Sequence, residues 1–163
     1  MRTIKFRGKK VTNGVWAYGS LVYLDENGAA IYVQTDNGSA KVMDLVYVYP
    51  DTVCQFTGFL DKNGKEIYEG DVLRSDEYPY SCIGDKKRDN YYAVVYYCEE
   101  GACFGTVTAK NPSSDVGGIS DGILDDVERE KMKNFEVVGN IHEENWQQYG
   151  EYFKNEEKEA DND

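Results

Sequence analysis

Residues 55–73, QFTGFLDKNGKEIYEGDVL, decide how this chain folds. Residues of strand character flank Asp61-Lys62-Asn63-Gly64, and the Asn-Gly pair tolerates the positive φ angles of a tight hairpin. Gly64 carries no Cβ, so the left-handed conformation costs it little. Beyond the turn, Lys65 to Glu69 alternate loosely, which lets Ile67 point inward while Glu66 and Tyr68 point the other way. Gly70-Asp71 interrupts the run before Val72-Leu73, and a glycine there permits the bend or bulge by which small barrels turn corners. The segment reads strand, turn, strand, bend, strand. It holds no catalytic or ligand-binding constellation.

The same punctuation recurs upstream. Asn13-Gly14, Asn27-Gly28, Asn37-Gly38 and Asn63-Gly64 place four such turns in the first 64 residues. Between them lie strand-like runs at 3–7, 16–24, 30–34, 42–49 and 53–56. In the first run Ile4 and Phe6 share one face, and Lys5 and Arg7 the other. Short turns between such runs predict an antiparallel meander. Residues 75–90 are polar, contain Pro79, and read as a long surface loop. Residues 91–98 and 103–108 form a hairpin around Glu99 to Gly101. Residues 110–122 read as a second long loop. A helix is expected over 123–133, with Ile123, Leu124 and Val127 as its apolar face, and a last strand over 135–141. Trp146, Tyr149, Tyr152 and Phe153 fit one side of a short C-terminal helix, ahead of an acidic, disordered end.

A chain of 163 residues buries roughly 70% of the surface that its unfolded form exposes, so it needs no disulfide or metal to stay folded. Its formal net charge of −12 lies beyond the ~2–8 units of a typical small domain. That excess opposes non-specific binding to nucleic acid or to an anionic membrane. The charge is unevenly placed. Arg2, Lys5, Arg7, Lys9 and Lys10 crowd the start, while Glu151, Glu156, Glu157, Glu159, Asp161 and Asp163 crowd the end. These read as a basic edge strand and a solvated acidic tail. No apolar run approaches the ~20 residues of a membrane span, and the first residues lack the apolar centre of a signal peptide. The expected location is the cytoplasm.

Chemistry-bearing residues do not converge. His142 is the single histidine; it follows a strand, precedes Glu143-Glu144, and is expected to be solvated. Glu66 and Glu69 point to opposite faces of an extended strand, and Asp71 after Gly70 reads as a turn former. Cys54, Cys82, Cys98 and Cys103 contain no Cys-x-x-Cys pair, and with one histidine no zinc site is expected. Cys98 and Cys103 could face one another across the hairpin, but in a reducing compartment they read as small core residues. No phosphate loop or serine nucleophile elbow occurs. The sequence thus predicts neither catalytic residues nor a cofactor.

What remains is surface. Residues 42–49 and 91–98 are apolar or aromatic on both faces, whereas an antiparallel strand in a small monomer usually has a wet side. Tyr47, Tyr49, Tyr92, Tyr96, Trp146, Tyr149 and Phe153 are the candidate interaction surface, for a homo-oligomer or another protein. The alternative is single-stranded nucleic-acid binding through Lys5, Arg7, Lys86, Lys87 and Arg88 beside tyrosines, or nucleic-acid mimicry by the acidic tail.

Three pieces of the chain carry a family resemblance: IKFRG at 4–8, the core at 55–73, and VVGNIHEEN at 137–145. Together they resemble the YopX family, whose members are encoded by bacteriophages and prophages and share an IKFR start, a QYTG-x-x-D-x-NGKEIYEGD core and a terminal GN-I strand. The pieces stand in order and span the domain. The resemblance implies a mainly β fold, an antiparallel meander over 1–56 leading into a small SH3-like barrel over 57–142, with one or two short helices near the C-terminus and a helix and acidic tail over 143–163. It also implies self-assembly in a bacterial host cell, with a host or phage protein as partner, and no activity.

Overall fold

The computed structural model describes residues 3–25, 28–36, 41–75, 91–108, 120–123 and 133–144. They form antiparallel β-sheets with one 3₁₀ turn, Pro50–Thr52. The chain divides into two compact units, Met1–Gly58 and Phe59–Asp163.

The first unit is the meander. β1 (Phe6–Lys9), β2 (Trp16–Asp25), β3 (Gly28–Asp36) and β4 (Lys41–Val48) pair in sequence, and β1 pairs on its other side with β5 (Cys54–Leu60). β1 is therefore an interior strand and not the expected edge. Gly14 takes a φ of 70° in the turn before β2, as the Asn-Gly signal requires. The end of β4 curls back onto the end of β1: Lys10 bridges Val48, and Val11 donates its N–H to the Tyr47 carbonyl at 3.1 Å. Glycine permits that curl, since a Cβ on Gly19 would fall on the Tyr32 carbonyl oxygen. Ala17, Ala29, Ile31 and Val48 fill the inside, with Phe6, Leu21, Val33, Val46 and Val53 packed against them.

The second unit is a five-stranded sheet in the order β10-β9-β8-β7-β11. Its strands are β7 (Asp71–Ser75), β8 (Tyr91–Cys98), β9 (Cys103–Thr108), β10 (Ser120–Ile123) and β11 (Glu136–Asn140). A short β6 (Glu66–Tyr68) precedes them. Phe59, Ile67, Leu73, Ala93, Val95, Phe104, Phe135 and Val137 form the core; full burial of each large side chain contributes about 1.5–3 kcal/mol. Among the described residues this sheet is open, with β10 and β11 at its edges. Among the described residues these ladders do not close on themselves.

β10 corrects two expectations. Ser120 to Gly122 belong to a strand where a loop was expected, and Ile123 ends that strand where a helix was expected to begin. Ser-Asp-Gly-Ile has little strand character of its own. It is recruited as an edge by the backbone of β9, with a register shift between Ser120 and Gly122. The rest of the expected helix, the C-terminal helix and the acidic tail lie outside the described residues.

Candidate interaction surface

The motif residues come together, but as a clip. Asp61 is only 5% exposed. Its Oδ1 accepts the backbone N–H groups of Asn63 (2.8 Å) and Lys65 (2.9 Å), and its Oδ2 accepts that of Val137 (3.1 Å). Lys62 adds a backbone bond to the Phe135 carbonyl (2.8 Å) and an ion pair with Glu136 (2.8 Å). The Asn-Gly turn is thereby fastened to the start of β11.

A second fastening holds the other end of that strand. Asp71 is fully buried; its Oδ2 accepts the Tyr68 N–H (2.8 Å) and its Oδ1 the Asn140 Nδ2 (3.1 Å). Asn140 also donates to the Glu69 carbonyl (3.3 Å) and accepts the His142 N–H (2.9 Å). Gly70, at a φ of 73°, donates to the Val95 carbonyl and accepts from Ile141. Asp71 is thus more than a turn former, and His142 is half-buried, not solvated. Glu66 accepts the Tyr68 hydroxyl at 2.7 Å. Asp61 and Asp71 satisfy backbone donors, as buried polar groups must be hydrogen-bonded. Among the described residues no three His, Cys, Asp or Glu gather as metal donors.

The exposed chemistry lies on the outer face of the first unit. Pairing places Ser20 beside Tyr32 and Tyr32 beside Leu45; in the next row, Val22, Ala30 and Tyr47, Ala30 is fully buried and Tyr47 exposed. Alternation along each strand puts these side chains opposite the core. Tyr18, Tyr32, Met43 and Leu45 are each about two-fifths exposed, and Tyr47 is 58% exposed. β4 carries the densest part and is an edge of its sheet.

Beside it runs a row of cations and rings. Arg7 and Lys9 on β1 pair with Tyr18 and Trp16 on β2, and Lys5 directly precedes the strand. The Lys5 ammonium lies 5.7 Å from the Tyr18 ring centre, the Arg7 guanidinium 4.4 Å from that of Trp16, and the Lys9 ammonium 5.6 Å from the same ring. Arg7 is only 4% exposed, on the strand that the sequence suggested as a basic edge. Its planar group is buried by stacking on the indole, a contact worth ~2 kcal/mol where water is excluded.

Of the residues singled out from sequence, Tyr47 and Tyr49 are exposed, Tyr92 and Tyr96 are half-buried on β8, and Trp146, Tyr149 and Phe153 lie outside the described residues. Lys5 is half-buried, and Lys86, Lys87 and Arg88 also fall outside. Sequence reasoning overlooked Tyr18, Tyr32, Met43 and Leu45. Their alternation was visible, but their meeting on one face depends on register.

No curated protein matches this chain. A solved structure that does is protein EF1440 from Enterococcus faecalis, at 19% identity and a TM-score of 0.47, covering 87% of this chain and 95% of that one. Family comparison is more decisive, because the match to YopX protein runs over residues 5–145 and takes in KFRG at the start, both halves of the clip and the strands between. The chain belongs to the YopX family.

Proposed function

We propose that this protein is a non-enzymatic accessory protein of a phage or prophage, acting in the host cytoplasm, which self-associates and binds another protein through the outer face of its N-terminal sheet. The observation behind this reading is the exposed surface of Tyr18, Tyr32, Met43, Leu45 and Tyr47. Aromatic residues and methionine are the types enriched where proteins meet. The buried carboxylates, by contrast, are occupied by backbone donors. Size-exclusion chromatography with light scattering tests the assembly. The wild type is expected above the mass of one chain, and Leu45→Glu/Tyr47→Glu at that mass. A wild type that stays monomeric at every concentration overturns self-association.

The same reading takes the second unit as an SH3-like barrel. In support, β7 pairs with both the last strand, β11, and the next, β8, while β8, β9 and β10 run as a meander. That is the connectivity of such barrels, with a long connection after the first strand. The short helices expected near the C-terminus belong to this finer reading.

Single-strand binding is the second reading, favoured by the cation–ring row on β1 and β2. The burial of Arg7 and the net charge of −12 weigh against it. Fluorescence anisotropy with single-stranded oligonucleotides over a range of salt decides it. Binding that weakens steeply with salt supports it, and its absence removes it.

A further inference from the structure

The hairpin of β8 and β9 closes on a pair of thiols. Cys98 and Cys103 are direct partners in the antiparallel register, so their side chains leave the sheet on the same face. Both are half-buried and both thiols are free. The four residues between them make a tight loop. Ala102 donates its N–H to the Glu99 carbonyl at 3.3 Å and takes a φ of 49°. Gly101 sits over the pair. A Cβ built on it would lie 2.9 Å from the Cys103 Sγ and 3.5 Å from the Cys98 Sγ. Both sulfurs therefore crowd one point, and their separation cannot exceed those two distances end to end.

We propose that Cys98 and Cys103 form a reversible dithiol–disulfide site at the tip of this hairpin. A disulfide needs Cα atoms about 4.4–6.8 Å apart, and directly paired antiparallel residues lie about 4.5–5.5 Å apart. Rotation about the side-chain torsions then suffices, with no movement of the strands. The oxidant class is a small-molecule disulfide such as oxidised glutathione. One cysteine thiolate attacks it, forms a mixed disulfide and releases one glutathione thiolate. The second cysteine thiolate attacks the protein sulfur of that mixed disulfide and releases the second glutathione. Two protein thiols lose two electrons, the glutathione disulfide gains them, and two glutathione thiols carry away the protons. Gly101 keeps the space above the sulfurs open for this exchange.

The test is equilibration of the full-length protein in glutathione buffers from fully reduced to mostly oxidised, followed by an acid quench, alkylation and tryptic mapping. No Lys or Arg stands between Asp89 and Ala109, so both cysteines fall in one peptide. The expected result is loss of both alkylation sites from that peptide, with a mass lower by two hydrogens and full recovery on adding dithiothreitol. Cys98→Ser and Cys103→Ser, each checked for wild-type thermal unfolding, should instead retain one glutathione on the remaining thiol. Persistence of both free thiols in the most oxidising buffer overturns the proposal. So does a disulfide joining either residue to Cys54, to Cys82 or to a second chain.

Discussion

Replacing Asp61 by alanine removes the carboxylate that ties the Asn-Gly turn to β11, and the cost follows from its three donors. The Val137 N–H is buried, and water does not reach it when the carboxylate goes. An orphaned buried donor costs about 1–3 kcal/mol. The Asn63 and Lys65 N–H groups belong to exposed turn residues, where water replaces the lost acceptor, so each costs about 0.5–1 kcal/mol. The sum is about 3 kcal/mol, which for a protein of this length corresponds to a drop of about 9 °C in the thermal midpoint. Circular dichroism melts measure the midpoint, and amide hydrogen exchange reads the Val137 N–H directly. Asp61→Asn separates a clip from a mere turn former. Asparagine is as welcome as aspartate in a turn, but its amide would point a donor at either the Val137 N–H or the turn N–H groups. It should still cost about 1–3 kcal/mol. A shift below about 2 °C for Asp61→Ala, with Val137 still protected, would refute the reasoning.

The other predictions follow from single positions. Gly70→Ala forces a side chain into the left-handed region at φ 73°, 3.1 Å from both Asn140 Nδ2 and Ile141 Cγ1, and should destabilise by about 1–2 kcal/mol in urea titration. Asn140→Ala leaves the Asp71 carboxylate and the His142 N–H each short of a partner, for a loss of about 1–3 kcal/mol by the same measurement. Ala102→Gly relieves a φ of 49° and should raise stability by about 0.5–1 kcal/mol, the strain relieved less the entropy that glycine adds to the unfolded chain. Tyr32→Ser/Tyr47→Ser should lower the association measured by sedimentation velocity while leaving the melting midpoint within about 2 °C, because both residues lie on the exposed face and outside the core.

Much of the strand pattern was legible because it is written locally. Asn-Gly pairs and period-two alternation place β2, β4, β5 and β11 close to where they lie. β10 was not legible, because Ser-Asp-Gly-Ile becomes a strand only when β9 offers its backbone. Arg7 shows another limit: alternation puts it opposite Phe6, as observed, but only the register that sets Arg7 beside Tyr18 and Lys9 beside Trp16 shows that its face is covered by an indole. The outer face was half legible for the same reason. Tyr47 on β4 and Tyr49 just beyond it stand out in the sequence, whereas Tyr18 and Tyr32 join Tyr47 only through pairing across three strands.

The clip also gives the family signature a structural role. Asp61 and Asp71 are met by Val137 and Asn140, 76 and 69 residues further along the chain. The NGKEIYEGD and VVGNI pieces are thus two halves of one structure that fastens β7 and the turn before β6 to β11. Bringing such distant segments together costs loop-closure entropy, and buried charge-assisted bonds to backbone donors are a strong means of offsetting it. Both acids are buried and bonded to donors of the chain itself. On the proposed reading, the surface by which this protein meets other molecules lies outside the signature. Among the described residues the outer face of β2, β3 and β4 is the surface with the aromatic area to do so, and the β8–β9 tip is the place with thiols close enough to react with each other.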